Sequence, residues 1–372
     1  MPLDKPVSMT NVNLSSATAL PYGWSGDLNA VMARVGQVAI GSEGWNVLRA
    51  GARLALALPR NRRAAQVVIG LYQPHRWTGR AFQFLARILV ATGLHRYYPK
   101  ITPPDFGPPL VSWLQAAANA GTVGFLGANP VHGPRCILGG IDPTSGRLFV
   151  AKLGLDQSAA AVEHEHAKLE LLHRKHPGVL ESLGCEVGDG WALLKLPHLG
   201  ENGPQRMQGV GVAELLNSWI SEIREPIEEN MWARNLIARI PAKGAQHGWH
   251  NSILEKCVNK ALVHGDFAVW NTRMTKNGLC ALDWEWAEEN GIAGIDLAHG
   301  LRQECYMVHR MKPAKAVAWM LSQADLLPWK SYLNACGWGS DTKDWLRLGL
   351  LHSHFNAKND SAELLSVLGI RL

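Results

Sequence analysis

The sequence predicts an α+β chain whose strands come largely before its helices, and three observations carry that expectation. Short β-type runs recur between residues 122 and 197 with turn residues between them. Residues 212–240 and 313–351 instead repeat their apolar positions at helical spacing. Late in the chain, the apolar run Ala261-Leu262-Val263 enters a polar loop that a second pair of β-type runs follows. With 372 residues, 47% of them hydrophobic and 18% charged, the chain can form an ordinary globular core in two or three domains.

Taken in order, the first hundred residues are the least patterned. Residues 1–19 are polar and small and lack a basic segment followed by an apolar one, so no secretory signal is expected. From Trp45 arginines interleave with apolar residues, as at Arg60, Arg62, Arg63, Arg80, Arg87 and Arg96. This stretch is expected to be a helical extension, residues 1–108, with basic faces packed on the rest of the chain. It could also lie peripherally on an anionic membrane surface or dock a protein partner. The Pro-rich residues 102–109 read as a linker and residues 110–120 as a helix. Residues 109–199 form a first lobe, with strands at 122–128, 136–141, 147–153 and 191–197. A helix runs from Ser158, a plausible N-cap, to His173. Residues 200–372 form a second lobe, helical apart from the strand at 261–263 and a hairpin. Pro313 suits the first turn of a helix, and Ser340 or Asp341 suits the cap of one containing Trp345, Leu348 and Leu351.

The chemistry concentrates in His264-Gly265-Asp266-Phe267-Ala268-Val269-Trp270-Asn271, followed by Asp283-Trp284-Glu285. An acid, an amide five residues on and a second acid twelve residues later fit phosphoryl-transfer machinery. Two β-type runs, 272–274 and 279–282, flank Asn277-Gly278, a strong hairpin signal that would return Asp283 beside Asn271. An Asp and an Asn carbonyl suit Mg²⁺, which takes one or two carboxylates and completes its shell with phosphate oxygens and water. Asp266 would accept the proton of an incoming hydroxyl or orient that hydroxyl.

On these residues the chain resembles the aminoglycoside phosphotransferase and choline kinase superfamily of small-molecule kinases, most strongly from Val263 to Ala298. The resemblance implies a bilobal protein-kinase-like fold, ATP or GTP as donor, Mg²⁺, and an alcohol on a small molecule as acceptor. Gly265 stands where protein kinases carry Arg, which favours the small-molecule branch. His264 and Asp296, in Asp296-Leu297-Ala298, match supporting positions, the latter a brace for the catalytic loop.

The same template needs a strand Lys and a helix Glu. Lys152 ends the Val-Ala-Lys of its strand. Glu165 interrupts the apolar stripe of Val162, Leu169 and Leu172, and a buried acid there needs a partner, which Lys152 would be. The strand at 191–197 would be the hinge, with backbone groups near Lys195 and Leu196 meeting the nucleobase. The loop at 129–135 would cover the phosphates, helped by Arg135. Glu285, Glu288 and Glu289 could form an acidic mouth, although a solvated loop is the simpler reading.

A net charge of +6 would suit nucleic acid, but no nucleic-acid fold accompanies it, so none is expected as a partner. Six scattered cysteines without a Cys-x-x-Cys pair indicate neither zinc nor a disulfide framework, pointing to reduced thiols and a cytoplasmic setting, with a peripheral seat at the inner membrane surface compatible with the basic stretch. The competing reading is a pseudokinase-like scaffold using its extension to engage a membrane or partner. Retention of Lys152, Glu165, Asp266, Asn271 and Asp283 favours the enzyme.

Overall fold

The computed structural model describes residues 44–50, 54–74, 77–101, 111–126, 135–200, 202–204, 206–241, 247–355 and 361–372. The expectations for residues 1–19, for the linker at 102–109 and for the loop at 129–134 lie outside the described residues.

One antiparallel sheet of eight strands forms the first lobe. Its members are β1 (Trp45–Ala50), β2 (Leu54–Leu58), β3 (Lys100–Ile101), β4 (Val123–Leu126), β5 (Arg135–Ile141), β6 (Leu148–Leu155), β7 (Cys185–Gly188) and β8 (Trp191–Pro197), in the order β3-β1-β2-β4-β5-β6-β8-β7. The expected helices of residues 1–108 are present as α1 (Arg62–Leu71) and α2 (Trp77–Thr92). The same stretch also supplies three strands, and β2 pairs with β4 through Leu56↔Leu126 and Ala57↔Phe125, so the sheet crosses the Pro-rich segment. The alternation Leu54-Ala55-Leu56-Ala57-Leu58 is the local reason, since a period of two belongs to a strand.

Each face of the sheet has its own cover. On one, α3 (Ser112–Asn119) buries Leu114 and Ala117 against Phe125, Leu138, Phe149, Ala151 and Leu153. On the other, α4 (Ala159–Leu172) packs Val162, Leu169 and Leu172 near Leu194 and Leu196, while α1 lies over the two glycines Gly124 and Gly139. A side chain at Gly139 would meet Val67 and Leu71 at 3.1 and 3.0 Å, so the missing Cβ is what lets α1 approach. Ser158 does not cap α4 through its side chain as expected: its hydroxyl donates to the Leu155 carbonyl at 2.8 Å and accepts from the Leu155 N–H at 2.9 Å, closing the turn before the helix.

The second lobe contains α5 (Val212–Asn217), β9 (Ile220–Pro226), α6 (Met231–Ile237), α7 (His247–Leu254), β10 (Cys257–Val263), β11 (Thr272–Thr275), β12 (Gly278–Ala281) and β13 (Glu288–Ile292). It continues with α8 (Ile295–Gln303), a π-helical turn at Glu304–His309, α9 (Pro313–Ala324), α10 (Trp329–Ala335), α11 (Thr342–Phe355) and α12 (Ala362–Val367). Residues 212–240 are not one or two helices alone, because β9 divides them and pairs with β10. The hairpin forms with Thr275 opposite Gly278, so Lys276 and Asn277 make the turn, one residue earlier than the Asn-Gly signal places it. Pro313 does open a helix, and Asp341 directly precedes α11, its carbonyl accepting the Trp345 N–H at 3.0 Å while its carboxylate is taken by Lys256 at 2.6 Å.

Tryptophans fix the start of α8. Trp338 and Trp345 are buried and donate their Nε1–H groups to the Ala293 and Gly294 carbonyls, both at 2.8 Å. Along α8, Ala298 faces Gly349 of α11 so closely that any Cβ at 349 would lie 2.2 Å from the Ala298 Cβ. That contact brings His352 and Ser353 within reach of the loop at 264–271. The β-rich lobe, the acid-bearing helix between β6 and β7, and the helical lobe after β8 together make the bilobal protein-kinase-like arrangement. No helix among the described residues is long and apolar enough to cross a membrane.

Candidate active site

Strand β10 delivers the chain to a loop braced by one buried carboxylate. Asp296 accepts the backbone N–H of His264 at 2.7 Å and of Gly265 at 3.0 Å, from the first turn of α8. Burial pushes the Asp296 carboxyl up, and the nearby His264 and the two backbone donors offset that only in part. His264 accepts the Asp266 N–H at Nδ1 (3.3 Å), which leaves Nε2–H to donate to the Leu282 carbonyl at 2.7 Å; the tautomer follows from that network. The expected supporting residues therefore both act on the backbone. Gly265 sits at φ +88°, and a Cβ there would lie 2.5 Å from the Trp286 carbonyl oxygen, so the loop has room for glycine alone.

Asp266 projects beyond this brace. Its Oδ1 accepts from His299 Nε2 at 2.9 Å, and Gln303 Nε2 stands 3.5 Å away. His299 is buried, with Nδ1 2.8 Å from the Ser353 hydroxyl, which donates onward to the Gly349 carbonyl at 3.1 Å. His352 donates Nε2–H to the Gly265 carbonyl at 2.8 Å, and burial, together with the neighbouring His299, pushes its imidazole down to about 4. Sequence reading missed these four partners. One signal was present: His299 lies three residues after Asp296, one helical turn along the same face.

Asn271 donates its side-chain Nδ2 to the Asp266 carbonyl at 3.0 Å, so its Oδ1 faces away as an acceptor. The Asn271 carbonyl accepts the Leu282 N–H at 2.7 Å, a direct backbone bond by which the hairpin returns Asp283 to the loop. Both Asn271 and Asp283 line one cavity between the lobes, of about 220 Å³, together with Lys152, Ile137, Val150 and Leu196. Asp283 occupies the left-handed region at φ +71°, unusual for a residue with a side chain, and this turns its carboxylate into the cavity.

Lys152 joins the lobes. Its Nζ donates to Glu165 at 2.6 and 2.8 Å and to Asp283 at 2.7 Å. Burial alone would lower the Lys152 ammonium, but Asp283 and Glu165 outweigh it and hold the group above its ordinary range. Burial likewise works against the Asp283 carboxylate, yet Lys152 holds it below the usual value. Glu165 also accepts the Trp284 N–H at 3.3 Å, so one carboxylate meets both the Lys strand and the acid-bearing turn.

The hinge expectation needs correction at Lys195. Lys195 pairs across the sheet with Ala151, whereas Leu194 pairs with Lys152 and Leu196 with Val150. Strand alternation therefore turns Lys195 to the outer face, where its Nζ meets Asp142 at 2.9 Å and lies over the Trp113 ring. Its backbone is also engaged, donating to Gly184 and accepting from Leu183. Leu196 does line the cavity, and the chain beyond it, through His198 to Gly200, continues that wall. No acidic mouth is assembled among the described residues: Glu285 is paired with Arg135 at 2.6 Å and Glu289 with Lys175 at 2.7 Å.

The donor set suits a hard divalent cation. Asn271 and Asp283 offer oxygen ligands only, and no group of three or more His, Cys, Asp or Glu among the described residues could hold a metal by itself. Such a site needs phosphate oxygens and water to complete its shell, the usual condition for Mg²⁺ beside a nucleotide.

No protein-family model matches the chain, and no curated protein matches it. Among solved structures, it is similar to an amicoumacin kinase in complex with AMP-PNP, Ca²⁺ and Ami, at 16% identity over 66% of this chain and 85% of that one, with a TM-score of 0.37. An aminoglycoside phosphotransferase from Streptomyces rimosus matches at 15% identity over 64% and 90%, with a TM-score of 0.36. A thermostable mutant of another aminoglycoside phosphotransferase, in its apo form, matches at 13% identity over 66% and 90%, with a TM-score of 0.40. At these values the chemistry has to be read from the residues of the site.

Proposed function

We propose that this chain is a phosphotransferase that moves the γ-phosphoryl group of ATP or GTP to a hydroxyl of a small molecule such as a sugar, amino sugar or amino alcohol. The observation that carries this reading is Lys152, held by Glu165 at 2.6 Å and Asp283 at 2.7 Å across the lobes, above a loop that carries Asp266 and Asn271.

In this reading the nucleobase lies between Ile137, Val150 and Leu196, against the wall formed by His198 to Gly200. Lys152 presents its charge to the phosphates, and Glu165 keeps its stem in place. Asn271 Oδ1 and the Asp283 carboxylate would hold Mg²⁺, which when bound neutralises charge on the phosphate oxygens. Asp266, fixed by His299, orients the acceptor hydroxyl and takes its proton. The acceptor oxygen forms a bond to the γ-phosphorus as the bond to the bridging oxygen breaks, and the nucleoside diphosphate leaves with that electron pair.

The test combines binding and turnover. AMP-PNP with Mg²⁺ should raise the melting temperature, and ADP release over a panel of sugars, amino sugars and amino alcohols should depend on Asp266. If the nucleotide gave no thermal shift and turnover matched that of an Asp266→Asn variant, the chain would be a scaffold with a kinase-like shape.

A further inference from the structure

A surface helix normally turns charged and polar side chains to water, and α2 does not. Trp77, Ala81, Phe84 and Ile88 recur at helical spacing with Leu85 beside them, and all five are exposed, Trp77 at 79%, Phe84 at 64% and Leu85 at 58%. Ala86 and Val90 fall on the opposite side, where they are buried in a cluster with Ala65, Val68 and Ile69 of α1. The helix is therefore anchored from within, and its outer stripe is not needed for that packing. The apolar surface continues past the helix through Leu94, Tyr97 and Tyr98. Among the described residues the exposed aromatic side chains are Trp77, Phe84, Tyr97 and Tyr98, so all of them come from this one stretch.

The charge at the end of this patch is of one sign. No Asp or Glu occurs between Glu43 and Asp105. Arg62 reaches the last turn of α2, donating Nη1 to the Ala91 carbonyl at 3.2 Å, and Arg96 donates Nη2 to the Arg60 carbonyl at 3.3 Å. Lys100 follows Tyr98 by two residues, on β3. All three are exposed, and none meets a carboxylate among the described residues. The backbone carbonyls hold the two guanidinium groups in place without cancelling their charge.

We propose that this face seats the protein on an anionic membrane surface, with Trp77, Phe84, Leu85 and Ile88 entering the headgroup boundary and Arg62, Arg96 and Lys100 meeting lipid phosphates. An apolar stripe with fixed cations at its border matches a plane that offers hydrocarbon and negative charge together, as an anionic bilayer does. Trp and Tyr rings, apolar in body and polar at the tip, favour that boundary. A nucleic acid would meet the cations but leave the stripe in water. With 16 residues, α2 falls short of the roughly 20 that spanning requires, so it would lie along the surface rather than cross it. Seating of this kind does not depend on phosphotransfer.

The full-length protein can be floated with vesicles of phosphatidylcholine alone and of phosphatidylcholine mixed with phosphatidylglycerol, at low and at high salt. Binding to the mixed vesicles should be at least about tenfold stronger and should weaken with salt, because each cation near the surface adds an attraction that salt screens. Phe84 and Leu85 are more than half exposed, so a Phe84→Gln/Leu85→Gln variant should keep its melting temperature and lose about tenfold or more in vesicle affinity. An Arg96→Gln/Lys100→Gln variant should bind the mixed vesicles about tenfold more weakly, with its binding to phosphatidylcholine alone unchanged. Absence of binding to the mixed vesicles, equal binding to both compositions, or unchanged binding to the mixed vesicles in either variant would overturn the proposal. So would a dimer that the Phe84→Gln/Leu85→Gln variant abolishes in the absence of any vesicle binding, which would assign the face to a second copy of this chain.

Discussion

On the small-lobe side of the catalytic loop, carboxylates are met by an ammonium group, whereas on the helical side they are met by an imidazole and backbone N–H groups. Lys152 stands between Glu165 and Asp283, each within 2.7 Å. Asp266 instead leans on His299, which leans on Ser353, while Asp296 holds two backbone N–H groups. The difference teaches what each side has to do. In the proposed function the ionic cluster holds the groups that would turn toward phosphates and Mg²⁺, so its contacts would be exchanged during a cycle. The hydrogen-bonded cluster fixes the direction of a single carboxylate and has no contact to give up.

The comparison can be broken experimentally, starting where the effect should be largest. Asp266→Asn should reduce ADP release by about 10³-fold while leaving AMP-PNP binding intact, because only the hydroxyl-facing group is lost. Lys152→Ala should cost about 3 kcal/mol in urea unfolding, since it strands the buried Glu165 beside Asp283, and Mg²⁺ with AMP-PNP should recover part of that loss. A variant that unfolds at the same urea concentration as the original would show that the ion pairs are not structural.

On the helical side the effect should appear in pH. The His352 imidazole is held at about 4 in the folded chain, below the roughly 6.5 of an exposed His, so the unfolded chain takes the proton first. Stability should therefore be full above about pH 6.5 and fall as pH drops toward about 4, by up to about 3 kcal/mol. His352→Gln should flatten that slope in denaturant titrations at successive pH values; an unchanged slope would place the acid sensitivity elsewhere. The smallest effect should come from His299→Gln. As a positioning residue it should lower kcat about tenfold, leave KM nearly unchanged and shift the pH profile of kcat, whereas a merely structural role would lower the melting temperature without moving that profile.

Much of this site is legible in the sequence because its residues are local or follow a fixed order. Asp266 and Asn271 share one loop, Asp283 follows one hairpin, and Glu165 betrays itself by breaking an apolar stripe beside a strand that ends in Lys152. Lys195 misleads because its backbone N–H and C=O, the groups expected to meet the nucleobase, are already taken by Gly184 and Leu183 at the entry to β7. His352 lies 87 residues after Gly265, with Ser353 next to it, and only the close approach of Gly349 to Ala298 brings them near the loop. The strands before residue 102 were hidden in a similar way: the pairing of Leu56 with Leu126 spans a Pro-rich segment that reads as a boundary.

That pairing has a practical meaning for anyone who shortens the chain. Removing residues 1–108 would strip β2 from one side of β4, leaving β5 on the other, and open a row of unsatisfied N–H and C=O groups along an apolar edge. It would also uncover the glycine-lined face at Gly124 and Gly139 that α1 seals. A chain cut there should be prone to self-association, and the first hundred residues are better regarded as a hem that finishes the sheet than as an appendage to it.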